Sequence, residues 1–265
     1  MDFTGKVALI TGGGGGIGRA AAIAFAARGA KLIVVDHDKT SGEATAELVR
    51  QRGGNARFTT ADVTRTADVQ AYVKSTLETF GRIDCFFNNA GIEGKVGSLL
   101  DYDEAMFDQV IAVNLKGVFL GLRYVIPEML KQGGGTIVNT SSVAGLTGGI
   151  GMPAYVASKH AVLGLTKAAS SEFARHNIRV NAVCPGPVET RMMRSIEAQR
   201  NPADPAGVAD GYRVGAPTGR YTTPEEVANT VLYLSSDLST NITGTHITID
   251  GGRNGAGGPV SPLTR

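Results

Sequence analysis

The sequence has no tryptophan, only two cysteines and four histidines, and no block of like charge. Each shortage excludes something. Cys85 and Cys184 sit inside the apolar runs Ile-Asp-Cys-Phe-Phe-Asn and Val-Asn-Ala-Val-Cys-Pro, where small buried thiols usually lie. No disulfide framework is expected, and the chain reads as a protein of the reducing cytoplasm. His37, His160, His176 and His246 show no ligand spacing, so no metal is expected, and His160 is read as a packing or interface residue. The 26 basic and 24 acidic residues are interleaved and leave a net charge of +2, which argues against a nucleic-acid groove or a polybasic membrane patch. Long hydrophobic runs are missing too. The longest uncharged stretch, Gly133 to Ser158, is broken by seven glycines and Pro153. The opening Met-Asp-Phe-Thr-Gly-Lys-Val-Ala-Leu-Ile is cut off by glycines before it builds a signal-peptide core. Neither a membrane helix nor secretion is expected.

Glycine is what the chain has in excess: 36 of 265 residues, about twice the roughly 7% of average usage. With 10 prolines the total still falls short of low-complexity composition, and the length suffices for a sizeable core. Short β-branched runs at Val7 to Ile10, Lys31 to Val35, Ala56 to Thr60, Ile83 to Phe87, Thr136 to Asn139, Arg179 to Val183 and Ile247 to Ile249 alternate with helical patterns. The helical segments are Ile17 to Arg28, Gly42 to Arg52, Ala67 to Phe80, Glu104 to Leu130, Ala154 to Arg175 and Pro224 to Leu234. Strand and helix in this rhythm require crossover connections, hence an α/β doubly wound parallel sheet of about seven strands with helices on both faces. No fixed-period repeat interrupts the pattern. Residues 1–252 read as a single domain and 253–265 as a C-terminal extension. Segment 187–218 carries Pro187, Pro202, Pro205 and Pro217 among Met192, Met193, Ile196, Val208, Tyr212 and Val214, the composition of a lid or binding loop.

The first strand runs into Thr11-Gly12-Gly13-Gly14-Gly15-Gly16-Ile17-Gly18 and then into a helix. Such a turn lets a phosphate approach backbone N–H groups at the positive end of the helix. Asp36, closing the second strand, stands where a carboxylate would bind ribose hydroxyls, which makes this a dinucleotide fingerprint and the sheet a Rossmann fold. A carboxylate there disfavours the 2′-phosphate of NADP, so NAD is the expected cofactor, with Arg19, His37 and Lys39 as the groups that could soften the preference.

Tyr155 and Lys159 are four apart in a helical segment and share a face. An ammonium beside a phenol favours phenolate and draws its pKa from about 10 toward the working range of an acid or base. Ser142 follows the strand Thr136 to Asn139, at the carboxyl end where open α/β sheets place ligands. It lies in no nucleophile elbow.

Together these motifs resemble the short-chain dehydrogenase/reductase family in its shorter form. Thr11 to Gly18 matches the cofactor turn, Asn88-Asn89-Ala90-Gly91 the motif after the fourth strand, and Ser142, Tyr155 and Lys159 the catalytic spacing. Asn114 falls on the fourth catalytic position, and Pro185-Gly186 matches the motif after the sixth strand. The resemblance implies that Tyr155 exchanges a proton with the substrate oxygen, that Lys159 lowers its pKa and holds the nicotinamide ribose, and that Ser142 orients the carbonyl. Asn114 would position a water in a proton relay. It implies a cofactor cleft built by Gly12, Gly16, Ile17, Gly18, Asp36, Asp62, Val63, Asn89, Gly91, Tyr155, Lys159, Pro185, Gly186, Val188 and Thr190, with Asp62 and Thr190 open to plainer roles as turn and helix caps. It also implies a homotetramer.

Substrate walls are expected from Ile92 to Val96, Val143, Ala144, Gly149 to Met152, Met192 and Met193. They are small or apolar, which suits a compact secondary alcohol or ketone, alicyclic or aryl, bound by Ser142, Tyr155, Met152, Met192 and Met193. Arg191, Arg194, Arg200 and Arg213 leave a 3-oxoacyl-acyl-carrier reductase as the enzymatic alternative, and a turnover-free dinucleotide-binding regulator as the alternative of another class.

Overall fold

The structure, a computed structural model, describes residues 1–255. Strand β1 (Val7–Thr11) is buried along its whole length, as a strand covered on both faces must be. It pairs in parallel with β2 (Lys31–Asp36) on one side and β4 (Cys85–Asn88) on the other. With β3 (Asn55–Thr60), β5 (Gly135–Thr140), β6 (Ile178–Pro185) and β7 (His246–Ile249) the sheet runs β3-β2-β1-β4-β5-β6-β7, every pair parallel. The seven strands match those expected from the sequence to within a few residues at each end. The winding reverses between β1 and β4, and a crevice opens at the carboxyl ends of strands at such a switch point.

Helices cover both faces. On one, α1 (Gly16–Ala26), α2 (Lys39–Gln51) and α9 (Pro224–Ser235) bury Phe25, Val49, Val231 and Leu232 against Ile10, Leu32 and Val34. On the other, α3 (Thr66–Phe80), α5 (Gly117–Lys131) and α6 (Pro153–Phe173) bury Tyr72, Val125, Met129 and Val162 against Leu9, Ile33 and Ile137. Helix α9 starts on a capping box, Thr223 with Glu226, behind Pro224 in the first turn, a combination that satisfies two orphan amides and presets the backbone.

Two expectations change. The helix foreseen from Glu104 to Leu130 is α4 (Glu104–Ile111), a π turn over Ala112–Lys116, and then α5. The extra residue per turn carries Asn114 into full burial. By length and composition Glu104–Lys131 could cross a membrane, yet Val118, Leu120, Leu122, Val125, Ile126 and Met129 are spent on the core of this fold. Segment 187–218 contains not an open loop but two helices, α7 (Arg191–Arg200) and α8 (Pro205–Val214). Thr190 caps the first, and Asp204 with Pro205 starts the second. Met193, Ile196 and Ala209 bury with Met152 and Tyr221. Buried Glu197 accepts a hydrogen bond from the Tyr221 hydroxyl at 2.7 Å and fastens α7 to the body.

In the β1–α1 turn, Gly12 has φ +62°, and a Cβ on it would lie 2.9 Å from the Cα of Ala90. Gly18 packs its Cα against the backbone of Gly12, and a Cβ there would collide with the Gly12 carbonyl. Backbone on both sides cannot yield as a flexible side chain can. Gly18→Ala is therefore expected to distort the turn and weaken dinucleotide binding at least about tenfold, a shift of roughly 1.4 kcal/mol or more. Fluorescence titration checks it, and unaltered affinity would remove the turn from the cofactor site.

Candidate active site

The switch-point crevice holds a cavity of about 990 Å³, near the upper end of the roughly 300–1,000 Å³ typical of small-molecule sites. At one end lie Gly12, Gly14, Gly15, Gly16 and Ile17 of the turn and the carboxylates Asp36, Asp38 and Asp62. Farther along lie Asn89, Gly91, Ser142, Tyr155, Lys159, Pro185, Gly186, Val188 and Thr190, with Met152, Met192 and Met193 among the apolar walls. Val63 also lines it. Gly18 does not, and its contribution is the close packing behind the turn. Of the other expected walls, Ile92, Val143 and Ala144 face the cavity. Val96 instead packs with α7 and α8, and Ile150 projects outward, 91% exposed.

A dinucleotide fits this surface. No side chain caps the first turn of α1, which leaves its leading N–H groups available to an anion. A Cβ added to Gly15 would meet nothing within 4 Å, so the turn opens onto space. Across it, Thr190 approaches Gly16, where a Cβ would lie 3.1 Å from the Thr190 methyl. The Asp36 carboxylate accepts from Gly14 N at 2.8 Å and from Asp38 N at 3.0 Å, holding it at the end of β2. His37 lies 3.1 Å from it, largely in solvent. Arg19 is committed to the Thr45 hydroxyl at 2.9 Å and to the Gly14 carbonyl, not aimed at a phosphate.

Several cleft residues also brace the frame. Asn89 donates to the carbonyls of Thr11 and Gly12 and accepts from the Thr140 hydroxyl, tying the ends of β1 and β5 together. Asp62 accepts from Thr64 N and its hydroxyl, and Thr190 from Met193 N, so the plainer capping roles of both are present. The Asn114 amide is spent on both backbone groups of Ile92, at 2.8 and 2.9 Å, and on the Ser158 hydroxyl at 3.2 Å.

The chemically active groups converge on α6 and the end of β5. Lys159 is 3% exposed and donates from Nζ to the Thr140 carbonyl at 2.8 Å. Its Nζ lies 5.4 Å from the centre of the Tyr155 ring. A Cβ on Gly91 would fall 3.2 Å from Asn114 Oδ1 and 3.5 Å from Lys159 Nζ, so a larger residue here would press on the Asn114 amide. Ser142 accepts from Ala144 N and donates to the Pro185 carbonyl at 3.3 Å. Burial sets the titration here. It pushes the Tyr155 phenol up to about 12, with the Ser142 hydroxyl pulling the other way. It also pushes the Lys159 ammonium down to about 8. The lowering of the phenol expected from its neighbouring ammonium is absent: desolvation dominates, and the one opposing influence is the Ser142 hydroxyl.

Sequence reasoning missed Thr140 as the lysine's acceptor, Ile196 and Tyr212 as walls, and Arg253 at the cavity edge. Thr140 could have been found as the last residue of a strand. Arg253 carried no local signal.

Residues 13–254 match the family model described as enoyl-(acyl carrier protein) reductase. The chain is 44% identical over 256 residues to levodione reductase of Leifsonia aquatica, covering 96% of each sequence. The crystal structure of levodione reductase superposes with a TM-score of 0.94 over 96% of this chain and 99% of that one. Cyclohexanol dehydrogenase of Acinetobacter sp. (strain SE19) is 39% identical, over 94% of this chain and 95% of that sequence. The structure of NAD+-bound xylitol dehydrogenase, 36% identical, aligns at a TM-score of 0.93 over 95% of this chain and all of its own. Motifs, sheet order and relatives agree, and the chain belongs to the short-chain dehydrogenase/reductase family.

Proposed function

We propose that this protein is an NAD-dependent oxidoreductase that interconverts a compact secondary alcohol and its ketone. The broader class, an oxidoreductase of the alcohol and ketone type with a nicotinamide dinucleotide, follows from its relatives. The observation that carries the finer reading is one cavity lined by the glycine turn, Asp36, Ser142, Tyr155 and Lys159. Bound nicotinamide supplies the hydride acceptor or donor, and the protein supplies orientation and a proton.

Tyr155 remains a phenol at neutral pH, the form that donates a proton to a ketone oxygen held by Ser142. In the reverse direction it takes the proton of the alcohol, so oxidation gains from rising pH. Lys159, charged below about 8, holds the ribose and favours the phenolate as it forms. With its amide committed to Ile92 and Ser158, Asn114 acts by shaping the π turn and the lysine's corner.

The substrate end is walled by Met152, Met193, Ile196, Met192 and Tyr212, which favours an alicyclic or aryl body. The acyl-carrier alternative called for free cations on the lid. Instead Arg194 pairs with Glu189 and Glu197, Arg213 with Asp210, and Arg200 donates to the Ile150 carbonyl, which leaves Arg191, on the cavity, as the one of the four with neither. The exposed Phe107 and Phe119 on α4 and α5 support pairing of these helices in a homotetramer.

Cofactor choice tests the reading of Asp36. Wild type is expected to favour NADH over NADPH, because a 2′-phosphate beside this carboxylate meets like charge, a cost of several kcal/mol. Asp36→Asn keeps an acceptor for Gly14 N and removes the charge. The ratio of kcat/KM with NADPH to that with NADH should rise at least about tenfold. An unchanged ratio would show that Asp36 does not select the cofactor.

A further inference from the structure

Arg253 is a charged group on the cavity that the reaction above does not use. Beyond β7 the chain turns on Asp250, whose carboxylate accepts from Gly252 N at 2.9 Å and Asn254 N at 2.7 Å. The turn lays Arg253 against the end of α8. Nη1 donates to the Tyr212 carbonyl at 3.1 Å, and the guanidinium carbon lies 5.4 Å from the centre of the Tyr212 ring. Gly215 makes room for it, since a Cβ there would fall 2.7 Å from Nη1.

The side chain is half-buried and lines the same cavity as Tyr155. Arg194 and Arg213 in segment 187–218, and Arg220 after it, each hold a carboxylate, whereas among the described residues none lies within ion-pair distance of Arg253, nor of Arg191 or Arg200. The carboxylates that line the cavity, Asp36, Asp38 and Asp62, follow β2 and β3 at the glycine-turn end. The cations are placed differently as well. Lys159 is bound to Thr140, His37 lies beside Asp36, and Arg191 follows Thr190 on the turn side.

A guanidinium has five N–H donors in a planar fork. One bond to Tyr212 and stacking on its ring fix the plane and leave donors for an acceptor in the cavity. A half-buried cation without an anionic partner attracts one from the ligand. Around it the walls are the apolar Met192, Met193, Ile196 and Tyr212. Arg253 is thus a polar point of the cavity lining additional to the Ser142–Tyr155 pair, set among apolar side chains.

We propose that Arg253 is a specificity-determining residue that binds a second oxygen function of the substrate, a carbonyl or carboxylate on the same apolar body as the reacting carbonyl. The proposal rests on the alcohol and ketone reading. It places substrate selection partly on the segment after β7.

The test compares wild type, Arg253→Met and Arg253→Lys on cyclohexanone, cyclohexane-1,4-dione and 4-oxocyclohexanecarboxylate with NADH and NADPH. In Arg253→Met, kcat/KM for the dione and the oxo acid should fall relative to cyclohexanone by roughly 10–100-fold, the worth of one hydrogen bond to a charged group. The fall should appear mainly in KM. Arg253→Lys should restore the oxo acid more than the dione if the natural group is a carboxylate, and both alike if it is a carbonyl. NADH titration should register no loss of affinity in either variant. Equal losses on all three substrates, or lost NADH binding, would make Arg253 only a latch on α8 and overturn the proposal. An unchanged ratio would overturn it too. Wild type inert on every ketone with both cofactors would sink the oxidoreductase reading, and the anchor with it.

Discussion

Replacement of Tyr155 by Phe is expected to remove nearly all turnover, by roughly 10²–10⁴-fold in kcat, while NADH still binds. The change deletes a single oxygen. The ring keeps its place beside Met152, Val156 and Met193 in the cluster under the lid, so neither the lid nor the glycine turn should move. What goes is the hydroxyl that, in the proposed mechanism, passes a proton to a substrate oxygen held by Ser142. Burial pushes this phenol up to about 12, so at neutral pH it is in the acid form that the proposed ketone reduction requires. Alcohol oxidation needs the conjugate base, whose fraction grows about tenfold per pH unit below that value. Wild-type oxidation should therefore climb with pH up to about 8, where Lys159 begins to lose its charge, while reduction does not. Any residue of oxidation in the Phe variant should lose that climb. Steady-state rates in both directions across pH, with NADH fluorescence as the binding control, decide the matter. A Phe variant that keeps a tenth or more of wild-type turnover would reassign the proton to another group.

What could be read from the sequence was what is written locally. Buried parallel strands announce themselves as continuous apolar runs such as Leu32 to Val35, and a glycine turn between strand and helix can be read from spacing alone. Asp36 ends its strand and Tyr155 lies one helical turn from Lys159, so both positions were legible. The π turn was not, because Glu104 to Leu130 keeps one apolar periodicity and the extra residue is revealed only when Asn114 meets Ile92 and Ser158. The lid helices were signalled weakly, by Thr190 and by Asp204-Pro205, within a segment whose four prolines suggested a loop. The phenol's titration was beyond sequence altogether. Adjacency to Lys159 suggests a lowering that the folded site does not show, whereas the dominant influence, desolvation, belongs to the assembled cavity. Arg253 shares that difficulty, since its neighbours Tyr212 and Gly215 lie some forty residues away in the chain.

Lys159→Met should abolish turnover on the same scale as the tyrosine change, roughly 10²–10⁴-fold, and yet make the cofactor-free protein more stable at pH 7. The ammonium is 3% exposed, and burial lowers it from 10.5 to about 8. Each pKa unit is worth about 1.4 kcal/mol, so keeping this charge in the folded state costs about 3 kcal/mol at pH 7. Methionine fills most of the same volume without that cost. Against it stands the Thr140 carbonyl, which would lose its donor, a penalty of about 1–2 kcal/mol. The difference favours the variant by about 1–2 kcal/mol, roughly 2–6 °C in Tm for a chain of this size. The sign depends on pH. Below about 8 the lysine is charged in both states and the full cost applies. Between about 8 and 10.5 the unfolded chain holds the proton while the folded one does not, so wild type gains stability as pH rises. Near 10.5 the cost has gone, the Thr140 hydrogen bond remains, and wild type should be the more stable of the two. Thermal unfolding of both proteins without cofactor at pH 7, 9 and about 10.5 tests this crossing. A methionine variant less stable than wild type at pH 7 would mean that Lys159 is held for the fold rather than for the reaction. A variant that gains stability and loses turnover would mark Lys159 as a charge the fold carries at its own expense because the chemistry requires it.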